Sequence, residues 1–274
     1  MSFSKFLLGS LAVTSLVLTG CGKDDGDTGS TDGGTTPADD TSVGAASFSI
    51  EGTALDFAAQ APAAEGLCVY ATDPTDALGG GDLIILSSST VGAGGAFNLE
   101  GVVTESVLGL LILVQDCNNE GTVMPSATGV AAEDYESLAD GDVVAGRNAY
   151  VLSADFQAGI DQSVAAAGGS SDIGTEGALL GFVFDASGTP VSGATVDCGG
   201  CADIYYGDAD SADGLFTSAK TGINASTDAT ASGLWVVPGG PVSSYTCEDG
   251  ANSYDSLLVG SQPGIAVFVA FYAL

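Results

Sequence analysis

Past residue 46, the apolar residues of this 274-residue chain arrive in short runs, each closed off by Gly, Asp, Pro or Ser. The first part carries such runs at 47–50, 67–71, 83–86, 96–99, 107–114 and 149–152. The second carries them at 179–184, 194–196, 233–237, 257–259 and 265–272. No stretch sustains the 3.6-residue periodicity of a long amphipathic helix, and short apolar runs between turn signals read as strands. Phe182 and Phe184 alternate with Val183, and Val267, Val269 and Phe271 alternate with other apolar residues. Strands apolar on both faces belong in the middle of a sheet. The pattern predicts an all-β protein of two tandem β-sandwich domains.

The two parts read as copies of one unit. Gly52, Pro62 and then Gly66-Leu67-Cys68-Val69 match Gly181, Pro190 and then Gly193-Ala194-Thr195-Val196. Gly95-Ala96-Phe97-Asn98-Leu99 matches Gly233-Leu234-Trp235-Val236-Val237. Tyr135-Glu136-Ser137-Leu138 with Gly141 matches Tyr254-Asp255-Ser256-Leu257 with Gly260. In this reading Gly52 opens a turn, and Trp235 is a core residue. The sandwich domains are expected at 47–156 and 178–274, joined by an Ala-, Gly- and Ser-rich linker at 157–177.

The second unit opens with Gly181-Phe182-Val183-Phe184-Asp185 and Gly188-Thr189-Pro190-Val191-Ser192-Gly193-Ala194-Thr195-Val196. It continues with Thr230-Ala231-Ser232-Gly233-Leu234-Trp235-Val236-Val237-Pro238-Gly239. These segments resemble the carboxypeptidase-regulatory-like (transthyretin-like) β-sandwich domains over roughly 178–274. The insertion at 197–229 departs from that pattern. The resemblance implies a non-enzymatic module on a secreted or surface protein and brings no catalytic residues with it.

At the other end, Lys5 precedes an apolar run from Phe6 to Leu18, too short for the ~20 residues that cross a bilayer as a helix. Leu18-Thr19-Gly20-Cys21 follows and resembles the bacterial lipobox. This implies a signal peptide at 1–20 and a lipid anchor on Cys21, hence a membrane partner through the lipid. Gly22 is not the Asp of inner-membrane retention, which implies the outer membrane. Lys23-Asp24-Asp25 resembles the tag that carries some Gram-negative lipoproteins to the cell surface. Residues 22–46 hold Gly, Ser, Thr, Asp and Pro with no aromatic, and so read as a flexible acidic tether.

Charge excludes much else. The chain has 35 acids against four cations, no His, and a formal charge of −31. Nucleic acid and anionic surfaces are repelled, and any mechanism that needs imidazole is ruled out. Salt-adapted exported proteins share this Lys-poor, Asp-rich balance, so the charge by itself names no ligand.

With Cys21 assigned to lipid, five thiols remain in an oxidising compartment. Cys68 is expected to pair with Cys117. Cys247 pairs with Cys198 or Cys201, or those two close on each other, leaving one thiol over. Cys198-Gly199-Gly200-Cys201 has no neighbouring cation to lower a thiolate pKa, so it reads as structural rather than redox-active.

Asp208, Asp210 and Asp213 before Gly214 are the candidate calcium loop. Their spacing has one residue too many for an EF-hand, and Ala219 stands where the bidentate Glu belongs, so a solvated loop is the plainer reading. No other cofactor is expected. Tyr205 and Tyr206 either stack on a sugar or pack across the sandwich. The expected function is a non-catalytic envelope module that binds a protein or glycan through the loops at 198–229. The alternative is a carboxylate-dependent glycan hydrolase.

Overall fold

The computed structural model describes residues 46–75, 83–118, 120–200, 203–207, 216–217 and 233–274. The first part contributes β1 (Ser47–Asp56), β2 (Ala61–Pro62), β3 (Cys68–Asp73), β4 (Ile84–Thr90), β5 (Ala96–Val103), β6 (Leu110–Gln115), β7 (Val123–Met124), β8 (Ser126–Val130) and β9 (Val143–Ser153). Two helices follow, α1 (Ala154–Ala166) and α2 (Ile173–Glu176). The second part contributes β10 (Ala178–Phe184), β11 (Thr195–Asp197), β12 (Tyr205–Gly207), β13 (Phe216–Thr217), β14 (Leu234–Pro238), β15 (Ser243–Glu248), β16 (Leu257–Val259) and β17 (Ala266–Tyr272). The protein is mostly β and built as sandwiches.

In the first part β1 is the hub, with β5 antiparallel on one side and β9 parallel on the other. The facing layer runs β8, β6, β3, β4, all antiparallel. Period-two alternation sets the interface between the layers: β5 buries Phe97 and Leu99 and exposes Ala96, Asn98 and Glu100. The second part repeats the plan. Its hub β10 has β14 antiparallel on one side and β17 parallel on the other, and β11, β15 and β16 form the facing layer. Trp235 is fully buried there, stacked on Tyr245 at a centroid distance of 6.1 Å.

The repeat is therefore physical, and its glycines show why those positions recur. Gly52 pairs with Phe97, and Gly181 pairs with Trp235, each across the hub and its antiparallel neighbour. A Cβ on Gly52 would lie 1.9 Å from the Arg147 carbonyl oxygen and 2.7 Å from the Phe97 ring. On Gly181 it would lie 2.2 Å from the Trp235 indole. Gly95 and Gly233 enter the next strand at φ 77° and 79°. A Cβ there would strike the carbonyl oxygens of Ala54 and Val183 and crowd Pro62 and Pro190, respectively. Gly52 thus sits inside β1 rather than opening a turn. The match of Tyr135 with Tyr254 does not hold in space, since Tyr135 follows β8 whereas Tyr254 precedes β16, the strand in the equivalent place.

Two features depart from the expected string of separate domains. β17 pairs in parallel with β8, Ala266 opposite Ser126 and Phe268 opposite Thr128. The facing layer of the first sandwich and the hub layer of the second are thereby one nine-stranded sheet. The stretch 157–177, expected as a linker, instead contributes most of α1 and all of α2. Ser153 caps α1, its Oγ accepting from the Phe156 N–H. Ile160, Val164 and Ile173 are fully buried against Leu180, Val236 and Phe268. Composition hid this helix because its small residues, read as soft, also fit closely over a sheet.

Candidate functional site

One face of the shared sheet carries a run of aromatic rings that reaches solvent. On this face β10 and β17 place Leu180 beside Phe268, Phe182 beside Ala270 and Phe184 beside Tyr272. Packing with α1 and α2 buries Leu180 and Phe268. Phe182, Phe184, Ala270 and Tyr272 remain half-buried. From the first sandwich, Phe57 reaches Phe268 and Phe182 at centroid distances of 4.8 and 5.2 Å, and Tyr150 reaches Phe268 at 5.4 Å. Phe182 and Phe184 stack at 5.5 Å and 28°, and Phe184 and Tyr272 at 5.2 Å and 23°. The crevice between Tyr150, Phe182, Phe184, Phe268 and Ala270 holds about 10 Å³. That is room for a single water, so a ligand would lie on these rings rather than enter between them.

The lining is uncharged. Burial, with the neighbouring Tyr150 phenol, pushes the Tyr272 phenol up to about 12, and burial also raises Tyr150. Both keep their protons at neutral pH, and neither hydroxyl has a hydrogen-bond partner among the described residues. The face offers apolar surface and two hydroxyls rather than acid–base chemistry.

Burial also pushes Tyr245 up to about 12, and burial together with the Asp73 carboxylate does the same for Tyr135. Since unfolded tyrosines ionise near pH 10, the native fold gains stability below about pH 10 and loses it as pH rises from about 10 to 12. Thermal midpoints should hold level from pH 8 to 9.5 and then fall as tyrosinate absorbance grows. A fall beginning below pH 9 contradicts this assignment.

Elsewhere Arg147, Asp134, Asp185 and Asp249 are engaged within the fold. Arg147, the one cation among the described residues, pairs with Asp134 at 2.7 Å. Asp185 accepts hydrogen bonds from Ser187 and Thr189, which hold its carboxyl below the usual range. Asp249 accepts from Ala251, Asn252 and Tyr254 and closes its own turn. A second depression, of about 530 Å³, lies open over Glu51, Thr53, Ala96, Asn98 and Gly146, with Phe97 as the aromatic residue in its lining.

The residues singled out from sequence fall as follows. Cys68 and Cys117 are bonded, with Cα atoms 5.0 Å apart. Cys198 is disulfide-bonded to a partner outside the described residues, where Cys21 and Cys201 also lie. Cys247 is the thiol left over, free and buried, so its pairing with Cys198 does not form. Burial, aided by the Asp249 and Glu248 carboxylates, pushes that thiol up to about 12, which leaves it inert as a nucleophile. The calcium candidates Asp208, Asp210 and Asp213 lie outside the described residues. Among the described residues no group of three or more acids or cysteines is placed to hold a metal ion. Tyr205 and Tyr206 are both buried: the Tyr206 hydroxyl bonds Val196 in the facing layer, across the sandwich, whereas Tyr205 packs on the other face of the sheet among Ile160, Val164 and Ile173 of the two helices.

No family model matches the chain, and no curated protein matches it. Among solved structures, the TIE protein of Bacillus anthracis overlaps 84% of this chain at 8% identity and a TM-score of 0.24. This chain spans about a third of that protein's length, the overlap covering 34% of it. The shaft pilin SpaA of Lactobacillus rhamnosus GG overlaps 84% of this chain and 98% of its own, at 8% identity and a TM-score of 0.24. GBS52, a minor pilin of Streptococcus agalactiae, overlaps 83% and 96%, at 11% identity and a TM-score of 0.23. Scores of this size carry no inference about function or assembly.

Proposed function

We propose that this chain is a non-catalytic lipoprotein module of the cell envelope. Lipid on Cys21 holds it at the outer membrane, the acidic tether 22–46 spaces it from the bilayer, and sandwiches of the carboxypeptidase-regulatory-like kind form its body. The observation that carries this reading is the aromatic face at the joint between the sandwiches. It provides contact area and hydroxyls in a lining without a carboxylate, thiolate or cation. The shared sheet supports the same reading, because it fixes the position of that face relative to both sandwiches.

Fractionation and protease treatment of intact cells test the proposal. The natural chain should sediment with membranes and be lost when protease is added outside, while Cys21→Ala should move to the soluble fraction. A natural chain that is already soluble, or a Cys21→Ala variant that stays in the membrane, overturns the anchor. Resistance to external protease until the outer membrane is opened overturns surface display.

A further inference from the structure

We propose that the open depression on the first sandwich binds a primary ammonium group carried on a methylene stem. The site lies apart from the aromatic face and depends neither on that face nor on the lipid anchor. Glu51 of β1 and Asn98 of β5 are direct cross-strand partners, and Thr53 stands on the same face one pair further on, opposite Ala96. Such partners have Cβ atoms about 5 Å apart, close enough for one cation to meet both side chains. The Asn98 amide nitrogen donates to Glu100 Oε1 at 3.1 Å, which leaves the amide oxygen to accept. The polar side chains of the lining are thus a carboxylate, that amide oxygen and the hydroxyls of Thr53 and Thr90. This is a set of acceptors, and an ammonium brings three donors and no acceptor.

Room for the stem comes from missing side chains. The depression holds about 530 Å³, within the usual range for small-ligand sites. Gly146 stands in the bulge where two residues of β9 oppose the single Glu51. A Cβ on Gly146 would have nothing within 4 Å, and one on Gly92 would touch only the Ala96 carbonyl oxygen, at 3.6 Å. Ala96 and Phe97 supply the apolar lining for methylenes.

Charge narrows the choice of ligand. In a chain of formal charge −31 an anion is repelled, and the lining holds no cation to receive it. A neutral sugar carries as many acceptors as donors, and here it finds side-chain donors only at the two threonines. Calcium takes six or more oxygens, usually several of them from carboxylates, whereas this lining has one carboxylate.

The test uses the full chain in micelles of neutral detergent at low salt, followed by amide nuclear magnetic resonance. The probes are 1,5-diaminopentane and lysine blocked at both its α-amino and carboxyl groups. The comparators are hexanoate, glucose and calcium. At least one amine should shift the Asn98 and Gly146 signals saturably, and bind more tightly than every comparator. Tighter binding of the diamine identifies a free amine as the ligand, and tighter binding of blocked lysine a lysine side chain of a partner. Glu51→Gln should weaken binding about threefold to fivefold. Glu248→Gln, which removes an exposed acid on β15 of the other sandwich, should leave it unchanged. Gly92 has extended backbone, at φ −98° and ψ −165°, so Gly92→Leu should fold and abolish binding by filling the depression. The site is overturned by absence of saturable shifts with both amines, by equal binding of any comparator, or by undiminished binding in Gly92→Leu. Equal losses in Glu51→Gln and Glu248→Gln also overturn it, by showing attraction to the whole chain. Failure of the site leaves the envelope reading standing, and a chain that proves soluble in cells leaves the site standing.

Discussion

Gly52→Ala will destabilise the protein by about 3 kcal/mol or more, because the new methyl has no direction in which to yield. Its position lies 1.9 Å from the carbonyl oxygen of Arg147 on the paired strand and against the Phe97 ring. A backbone carbonyl moves only if β9 moves, and β9 is hydrogen-bonded along most of the length of β1. The equivalent change, Gly181→Ala, meets the Trp235 side chain instead, and an indole can tilt at a cost of about 1–3 kcal/mol. Urea unfolding of the two variants should therefore rank Gly52→Ala well below Gly181→Ala. A loss under about 1 kcal/mol for Gly52→Ala, or the reverse order, would show that the hub strands are not packed as described.

Removing the Cys68–Cys117 bond should have the second large effect. The cysteines are 49 residues apart in sequence, and closing a loop of that length restricts the unfolded chain by an amount worth up to about 4 kcal/mol. Little strain offsets it, since Cys68 already pairs with Gln115 across β3 and β6, two residues short of Cys117. The variant Cys68→Ser/Cys117→Ser should lose about 2–4 kcal/mol in denaturant unfolding. It should keep its far-ultraviolet circular dichroism, because the β3–β6 ladder remains. The double variant is preferable to a reductant, which would also open the bridge at Cys198. A loss below about 1 kcal/mol would mean that the unfolded chain is already compact without the bond.

The strands and the repeat were legible because both are written locally. A Gly opposite an aromatic, with a Pro near the next Gly, is a packing rule that leaves the same letters in both halves, as at Gly52, Pro62, Gly95 and Phe97 and at Gly181, Pro190, Gly233 and Trp235. Tyr135 and Tyr254 misled for the complementary reason: similar letters can serve different places when no shared contact fixes them. The helix at 154–166 was missed because its apolar residues, Phe156, Ile160 and Val164, are spread thinly among Ala, Gly, Gln and Ser. The candidate site was illegible as a site. Its rings come from Phe57, Tyr150, Phe182, Phe184, Phe268 and Tyr272: the pairing of β10 with β17 gathers the last four, and the pairing of β8 with β17 joins them to the part that holds Phe57 and Tyr150. Each looks like an ordinary core residue where it stands, whereas Tyr205 and Tyr206, beside the acidic loop, are the buried ones.

The pairing of β8 with β17 also sets the order in which the molecule can be completed. β17 is the last in sequence of the described strands, yet it occupies the fifth of nine places in the shared sheet, with β10 on one side and β8 on the other. During synthesis every other strand of that sheet exists before the one that must be inserted at its middle. Until Ala266–Tyr272 arrives, β10 and β8 each present a bare edge, and edges of that kind invite the wrong neighbour. The contacts they wait for are distant in sequence, Ala266 meeting Ser126 of β8 and Ala178 of β10, and distant contacts are the slow kind to form. A ribosome that stalls before residue 266 would therefore release two half-sheets rather than a shorter protein.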